Sequence, residues 1–248
     1  LLDMKTILIL LVIGHLFTVL LISTYWRSHT KDSTLNVFFL AKCVQAVAWL
    51  LLTLRGGISD VFTISIANSL LFIGEAIESY VIYKFVCGYQ RSIKKLYIGL
   101  TIVFLVSFHL IILFYNFEHI RIFCASFGSA ILAILPAYRL MREKSSTLLM
   151  RFIGLLYYLV ALSLLLRCAA AIVSNQQMGL FTPGLTQTIS FLCVYLVMII
   201  GNTGFILILK EKTDAELMHM AYYDELTQTL NRRTFVYRAK QALSQCSK

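Results

Sequence analysis

Seven long apolar stretches constrain the fold of this chain more than any other feature of its sequence. A helix needs about 20 largely apolar residues to cross the hydrocarbon core of a bilayer, and each stretch has that length. The stretches cover residues 6–26, 35–54, 61–83, 96–115, 119–138, 152–173 and 184–209. We therefore predict an all-α membrane protein whose residues 1–209 form a seven-transmembrane helix bundle.

The composition excludes the soluble alternatives. Of the 248 residues, 59% are apolar and only 14% are charged, and the mean hydropathy is +0.80. In a soluble domain about a quarter of the residues are charged. This chain has too few polar side chains to cover a water-facing surface, which excludes a soluble globular protein and a disordered chain.

Basic residues between the stretches predict the orientation of the bundle. Ten Lys and Arg residues fall in loops on one side. They are Arg27, Lys31, Lys84, Arg91, Lys94, Lys95, Arg139, Arg142, Lys144 and Arg151. The other side has only Lys5, Arg55 and Arg121. Because basic loops stay in the cytoplasm, we expect a multi-pass protein of the cell membrane with its N-terminus outside and its C-terminus inside.

The same loops account for the net charge of +10. The expected partner of these basic residues is therefore the lipid bilayer, and no nucleic acid is expected. The six cysteines show no close pairing and no Cys/His spacing that is typical of a metal site. We interpret them as reduced, structural residues, and we expect no metal site.

The sequence changes character at Lys210, where charges begin to occur at the density of a soluble protein. Residues 210–221 contain no Gly or Pro, so the last span can continue as a cytoplasmic helix. Apolar and small residues recur in this region at steps of three and four, which is typical of a coiled-coil seam. They are Ile206, Leu209, Thr213, Leu217 and Met220. A plain amphipathic linker would show the same pattern, and both interpretations stay open.

A further helix is predicted after this linker. Asn231 is a favourable N-cap, and Phe235, Ala239, Ala242 and Leu243 form an apolar face behind it. The residues around this cap resemble the opening motif of GGDEF domains, the diguanylate cyclase family. The matching residues are Asp224, Leu226, Thr227, Asn231, Arg232, Arg233 and Phe235. Gln228 stands where family members usually have Gly, and the resemblance covers only residues 214–245.

The resemblance implies an α/β domain that begins at residue 222, after a signalling helix over 210–221. Such a domain makes cyclic di-GMP from two GTP molecules with Mg²⁺ or Mn²⁺. In that family Asp224 and one of the following arginines would clasp the start of the domain, a structural role. The glycine turn and the metal-binding carboxylates would lie further along, and Gly56-Gly57 is not that turn. We therefore expect residues 222–248 to be the N-terminal fragment of such a domain, with no catalytic residue.

The expected function is that of a membrane sensor that regulates an attached diguanylate cyclase. Two catalytic domains must meet to join two GTP molecules, so we expect a homodimer through the signalling helix. This chain alone is expected to be inactive, as a fragment, a truncated gene product or an excised sensor. Its ligand is an unknown small molecule or ion.

Ionisable residues within the apolar stretches are costly and indicate function. Asn68, Glu75 and Glu78 share one face of the third stretch, and Lys42 lies at a similar depth in the second. A Lys42–carboxylate ion pair across these antiparallel helices fits the spacing. It could be purely structural, or it could form a proton- or cation-responsive site.

Arg167, with Ser163, lies in the outer third of the sixth stretch. Together with Gln187 and Arg55 it could line an outward pocket for an anion. Arg55 by itself is interpreted as a side chain that snorkels to the interface. The candidate intramembrane sensing residues are Lys42, Asn68, Glu75, Glu78 and Arg167.

Two other functions compete with the sensor. A small-solute or ion transporter could use Glu75, Glu78 and Lys42 as its coupling site, although the sequence shows no internal repeat. A retinal-binding protein would need a lysine deep in the last span, and residues 184–209 contain none.

Overall fold

The computed structural model describes residues 3–28, 32–143, 146–173, 178–224, 227 and 229–246. Within these ranges every regular element is helical. The helices are α1 (Met4–Ser28), α2 (Ser33–Thr53), α3 (Ala67–Cys87), α4 (Arg91–Phe114), α5 (Glu118–Arg142), α6 (Leu148–Val173), α7 (Leu185–Leu196), α8 (Asn202–Tyr222) and α9 (Arg232–Cys246). Two π-helical turns, Val61–Ile66 and Val197–Gly201, precede α3 and join α7 to α8.

Seven of these helical segments are long and apolar enough to cross a membrane, which confirms the predicted spans. They run over Met4–Arg27, Ser33–Thr53, Val61–Cys87, Arg91–Phe114, Glu118–Arg142, Leu148–Val173 and Leu185–Tyr222. The chain is therefore a multi-pass membrane protein. The predicted orientation stays a prediction, because helix length and composition do not distinguish the two sides of the membrane.

The helix ends follow from local chemistry. Asp32 caps α2 by accepting hydrogen bonds from the backbone N–H groups of Thr34 and Leu35. Gly88 ends α3 with a φ of 78°, which a residue without a Cβ adopts at little cost. Polar and charged residues thus occupy the turns, and the apolar runs between them stay helical.

Glycines let neighbouring helices approach closely inside the bundle. A Cβ added to Gly74 of α3 would lie 3.3 Å from the Ala41 carbonyl oxygen of α2. A Cβ added to Gly154 of α6 would lie 3.0 Å from the Ala137 carbonyl oxygen of α5. Small residues at such contacts are typical of membrane helix packing. They bring α2 against α3 and α5 against α6, the four helices that carry the buried ion pair and Arg167.

The chain separates into two compact units, Leu1–Phe205 and Ile206–Lys248. In the second unit, the Asn231 backbone N–H donates to the Tyr222 carbonyl over 2.9 Å. Asn231 Oδ1 accepts a 2.9 Å hydrogen bond from the Thr234 N–H, and α9 begins at the next residue, so the predicted N-cap is confirmed. The α/β fold implied by the resemblance stays a prediction, since the described residues of this unit contain helices and one isolated bridge.

Candidate functional site

Two adjoining cavities lie inside the seven-helix unit. We call the first the mouth cavity, because it shares Arg55, Glu118 and Arg121 with an open vestibule at one end of the bundle. The second is the deep cavity, lined by Lys42 and Glu78. Their shared wall residues are Trp49, Leu71, Glu75, Ser129, Leu164 and Val194.

A buried ion pair occupies the deep cavity. Lys42 Nζ of α2 lies 2.6 Å from Glu78 Oε2 of α3, and the two side chains are only 3% and 8% exposed. Gln45 joins both, since its Oε1 accepts from Lys42 Nζ at 3.2 Å and its Nε2 donates to Glu78 Oε2 at 2.6 Å. The predicted Lys42–carboxylate pair is therefore present, and Glu78 is the partner.

A third helix completes this pair. Tyr157 of α6 donates its hydroxyl hydrogen bond to Glu78 Oε1 over 2.5 Å. Lys42 Nζ also lies 5.2 Å from the centroid of the Phe38 ring, within reach of a cation–π attraction. Both carboxylate oxygens of Glu78 thus have donors, and a buried ion pair that is fully hydrogen-bonded can recover its desolvation cost.

Glu75 faces the wall that the two cavities share, but it is bonded differently. Its Oε2 atom is buried and has no hydrogen-bond partner within the described chain. The described residues also place no basic group within the 4.0 Å of an ion pair with Glu75. A buried carboxylate oxygen without a donor is costly. Glu75 hydrogen-bonds Ser129 and lines both cavities, but its Oε2 is an unsatisfied acceptor.

Arg167 of α6 lines the mouth cavity and is only 5% exposed. Its Nη1 donates to Ser126 Oγ over 2.9 Å, and its Nε and Nη2 each donate to Gln187 Oε1 over 3.4 Å. The guanidinium carbon lies 4.7 Å from the centroid of the Phe191 ring. All these partners are neutral, and no described carboxylate lies within ion-pair distance of Arg167.

Arg55 and Arg167 both line the mouth cavity, whereas Gln187, the third residue of the predicted pocket, is not among its lining residues. Anion binding there stays a prediction. The interpretation of Arg55 as a snorkelling side chain was wrong, because its Nη1 forms an ion pair with Glu118 Oε1 at 3.0 Å and its side chain is only 17% exposed. The Ser163 hydroxyl donates to the Val160 carbonyl of its own helix. The Nε2 of Gln187 lies within hydrogen-bond distance of the carbonyls of Gly179, Leu180 and Thr182.

Asn68 is the remaining candidate from the third span. It lines the mouth cavity, and its Nδ2 donates to the Ile64 carbonyl over 2.7 Å. The structure therefore brings Asn68, Glu75 and Arg167 to one cavity, and it places Lys42 and Glu78 in the adjoining one.

The residues of the resemblance motif lie in the other unit. Asp224 Oδ1 accepts hydrogen bonds from the Thr227 backbone N–H at 3.0 Å and from its hydroxyl at 3.2 Å. Arg232 and Arg233 open α9 with exposed side chains, and Phe235 is 62% exposed. Leu226 lies outside the described residues. The clasp between Asp224 and an arginine stays a prediction.

Sequence reasoning missed Tyr157, Ser126 and Glu118. Tyr157 is one of 13 tyrosines, and nothing local to it marks it as the partner of a carboxylate. Glu118 precedes an apolar run and looks like an ordinary first-turn residue of a helix. Only the packing of α3, α5 and α6 brings these side chains to the cavities.

Comparison of this chain with protein-family models, with curated proteins and with solved structures finds no match. Among the described residues, no group of three or more His, Cys, Asp and Glu side chains could hold a metal ion. The features that indicate a function are therefore the cavities and the motif at residues 224–235.

Proposed function

We propose that this chain is the membrane sensor of a diguanylate cyclase. In this proposal a small ligand or ion binds in the mouth cavity of the seven-helix unit. Binding changes the last membrane helix, which passes the change to a cytoplasmic GGDEF domain that begins near Asp224. The chain is the regulatory part, and GTP with Mg²⁺ or Mn²⁺ would bind to catalytic residues beyond the motif.

The last membrane helix carries the proposal. Phe191 and Val194 line the mouth cavity, and Val194, Val197 and Met198 line the deep cavity. The same helical segment continues to Tyr222, two residues before the motif starts. A ligand in the cavity would therefore touch the segment that leads to the proposed cyclase.

A π-helical turn at Val197–Gly201 interrupts this helix beside the cavity wall. Such turns are less regularly bonded than an α-helix and frequently occur at functional sites. Asn202 follows the turn, and neither of its buried side-chain polar atoms has a hydrogen-bond partner within the described chain. We infer that the helix can change its register here at low cost. Ligand binding could then shift the part of the helix that follows the turn.

The unpacked apolar surface of the second unit also supports the proposal. Phe235 and Leu243 of α9 are 62% and 70% exposed, and Leu217 and Met220 of α8 are both 58% exposed. A GGDEF domain would supply partners for α9. A second copy of the chain would cover the Leu217 and Met220 positions in a homodimer.

The orientation can be tested directly. If the ten basic loop residues mark the cytoplasmic side, the C-terminus is inside and the proposed domain can reach GTP. Alkaline phosphatase fused after Lys248 is then expected to be inactive in cells, while the same enzyme fused in the 55–60 loop is expected to be active. Activity at Lys248 would overturn the proposed function.

Coupling can be tested by inserting residues into α8 of the full-length protein after Thr213. An insertion of two residues rotates the following helix by about 200°. An insertion of seven residues rotates it by nearly two full turns, so the helix face changes by only about 20°. The two-residue insertion is expected to abolish control of cyclic di-GMP in cells, and the seven-residue insertion is expected to keep it. Equal control by both insertions would mean that α8 is a slack tether.

Transport through Lys42, Glu75 and Glu78 is the alternative. It is less favoured because Lys42 and Glu78 are saturated by each other, by Gln45 and by Tyr157, so neither is free to bind a coupling ion. Uptake of a labelled solute into proteoliposomes would support transport against the sensor.

A further inference from the structure

Arg167 and Glu75 line the mouth cavity, and neither has an ion-pair partner among the residues that the structure describes. We propose that this cavity binds a small zwitterion, an apolar α-amino acid, with its carboxylate on Arg167 and its ammonium on Glu75. This names the ligand class of the proposed sensor. It rests on the proposed function only for the consequence of binding, which is the control of cyclic di-GMP.

Arg167 fixes the carboxylate end. A buried guanidinium that has only neutral partners has lost its hydration without gaining a counter-ion, which is costly. Ser126 and Gln187 accept hydrogen bonds from it, and its side chain lines the cavity. A ligand carboxylate would supply the missing charge, and Arg is the side chain best suited to bind a carboxylate by two parallel hydrogen bonds.

Glu75 fixes the ammonium end. Its buried Oε2 lacks a donor, and the neighbouring Lys42 is already committed to Glu78 at 2.6 Å. A ligand that carried only a carboxylate would leave this oxygen unsatisfied. A ligand that carried only an ammonium would leave Arg167 unpaired. A zwitterion satisfies both groups and adds no net charge to the cavity.

Helix α5 carries a serine beside each of the two groups. Ser126 accepts a hydrogen bond from Arg167, and Ser129, one turn along α5, hydrogen-bonds Glu75. Both serines line the mouth cavity. The two proposed anchors are therefore held by neighbouring turns of one helix.

The rest of the cavity selects an apolar side chain. Trp49, Phe108 and Phe191 supply ring surface, and Leu71 and Leu164 supply aliphatic surface. The vestibule that leads to this cavity carries both signs of charge, which suits a zwitterion better than a simple anion or cation. Its charged residues are Lys5, Arg55, Asp60, Glu118 and Arg121.

Tryptophan fluorescence gives a local readout of binding. The chain has two tryptophans. Trp49 lines the cavity, whereas Trp26 hydrogen-bonds Asn36 elsewhere. Trp26→Phe in the purified chain therefore leaves Trp49 as the sole reporter. L-alanine, L-leucine and L-phenylalanine are titrated, together with 3-phenylpropionate, which lacks the ammonium, and 2-phenylethylamine, which lacks the carboxylate.

We expect at least one of the amino acids to change the Trp49 emission saturably at millimolar concentration or below. For L-phenylalanine, both analogues are expected to bind at least tenfold more weakly, because each leaves one buried charge unpaired. Absence of saturable binding by all three amino acids would overturn the proposal. Equal binding of 3-phenylpropionate and the amino acid would overturn the role of Glu75.

Two variants test the two anchors. Arg167→Gln is expected to weaken amino-acid binding at least tenfold. Glu75→Gln is expected to abolish the preference for the amino acid over its carboxylate-only analogue. Arg151→Gln and Glu211→Gln, which change exposed residues that do not line the cavity, are the matched controls and are expected to bind normally.

If Arg167→Gln does not fold, Glu75→Gln still tests the proposal. A folded Glu75→Gln variant that keeps its preference for the amino acid over the carboxylate-only analogue contradicts it. These titrations need no cyclase. Amino-acid binding with no effect on cyclic di-GMP in the full-length protein would contradict only the proposed function, while control without amino-acid binding would contradict only the ligand class.

Discussion

Two deeply buried cations of the bundle, Lys42 and Arg167, have opposite surroundings. Lys42 is 2% exposed and lies 2.6 Å from the Glu78 carboxylate, which Gln45 and Tyr157 also bind. Arg167 is 5% exposed and contacts only neutral groups within the described chain. Burial is similar, so the presence of a counter-ion is the real difference.

This difference separates a structural charge from a receptive one. A paired and fully hydrogen-bonded charge fixes the packing of the helices that carry it, here α2, α3 and α6. An unpaired charge that faces a cavity gains most when a ligand supplies the missing partner. Substitution of a paired buried charge is therefore expected to reduce stability, and substitution of an unpaired one is expected to reduce ligand binding.

The largest effect on stability is expected for Lys42→Met. It leaves Glu78 as a buried carboxylate without its cation, and breaking a buried ion pair by removing one partner costs about 3–5 kcal/mol. The measurement is the melting temperature of the purified protein in detergent. The double variant Lys42→Met with Glu78→Gln removes both charges and is expected to recover much of the loss. If the double variant melts no higher than the single one, Lys42 and Glu78 do not depend on each other.

Tyr157→Phe should have the next largest effect. It removes the donor to Glu78 Oε1 and leaves the ring in place, so no cavity forms. A hydrogen bond to a charged group contributes about 1–2 kcal/mol in such a setting. Tyr158→Phe, one residue along α6, is the control, and equal melting temperatures for the two variants would show that the Tyr157 hydroxyl does not support the pair.

The sequence predicted some of this comparison and not the rest. The seven spans follow from apolar run length alone, and a Lys42–carboxylate pair follows from depth in two adjacent antiparallel helices. Which of Glu75 and Glu78 pairs with Lys42 depends on how α3 is rotated about its axis, and the close approach at Gly74 sets that rotation in three dimensions. The partner of Arg55, Glu118, lies 63 positions away in the sequence, and no pattern links the two.

The π-helical turn at Val197–Gly201 could not be predicted either. Residues 189–209 contain no proline and are mostly apolar, so the sequence reads as one regular helix. A bulge of this kind depends on the packing around the last span, where a Cβ on Gly204 would come within 2.6 Å of Ile153 Cδ1. Such local irregularities are set by tertiary contacts and not by helix propensity.

Arg167→Met tests the other side of the comparison. The substitution removes an unpaired buried charge together with its hydrogen bonds to Ser126 and Gln187, and these two contributions oppose each other. We expect the stability of the ligand-free protein to change by about 1 kcal/mol or less. A melting temperature as low as that of Lys42→Met would mean that Arg167 is a structural residue like Lys42.

The smallest effect is expected for Arg55→Gln, which breaks the ion pair with Glu118 at the mouth of the cavity. These side chains are 17% and 37% exposed, so water and salt screen their attraction, and pairs of this kind contribute about 0.5 kcal/mol. Glu118 Oε1 also accepts the Leu180 backbone N–H over 2.9 Å, and that bond survives the substitution. The melting temperatures of the variant and the unchanged protein should therefore nearly coincide, and raising the salt concentration should narrow the remaining gap. A decrease in melting temperature as large as that of Lys42→Met, and insensitive to salt, would mean that Arg55 is a structural charge like Lys42. It would also mean that the rim of the mouth cavity is not solvated.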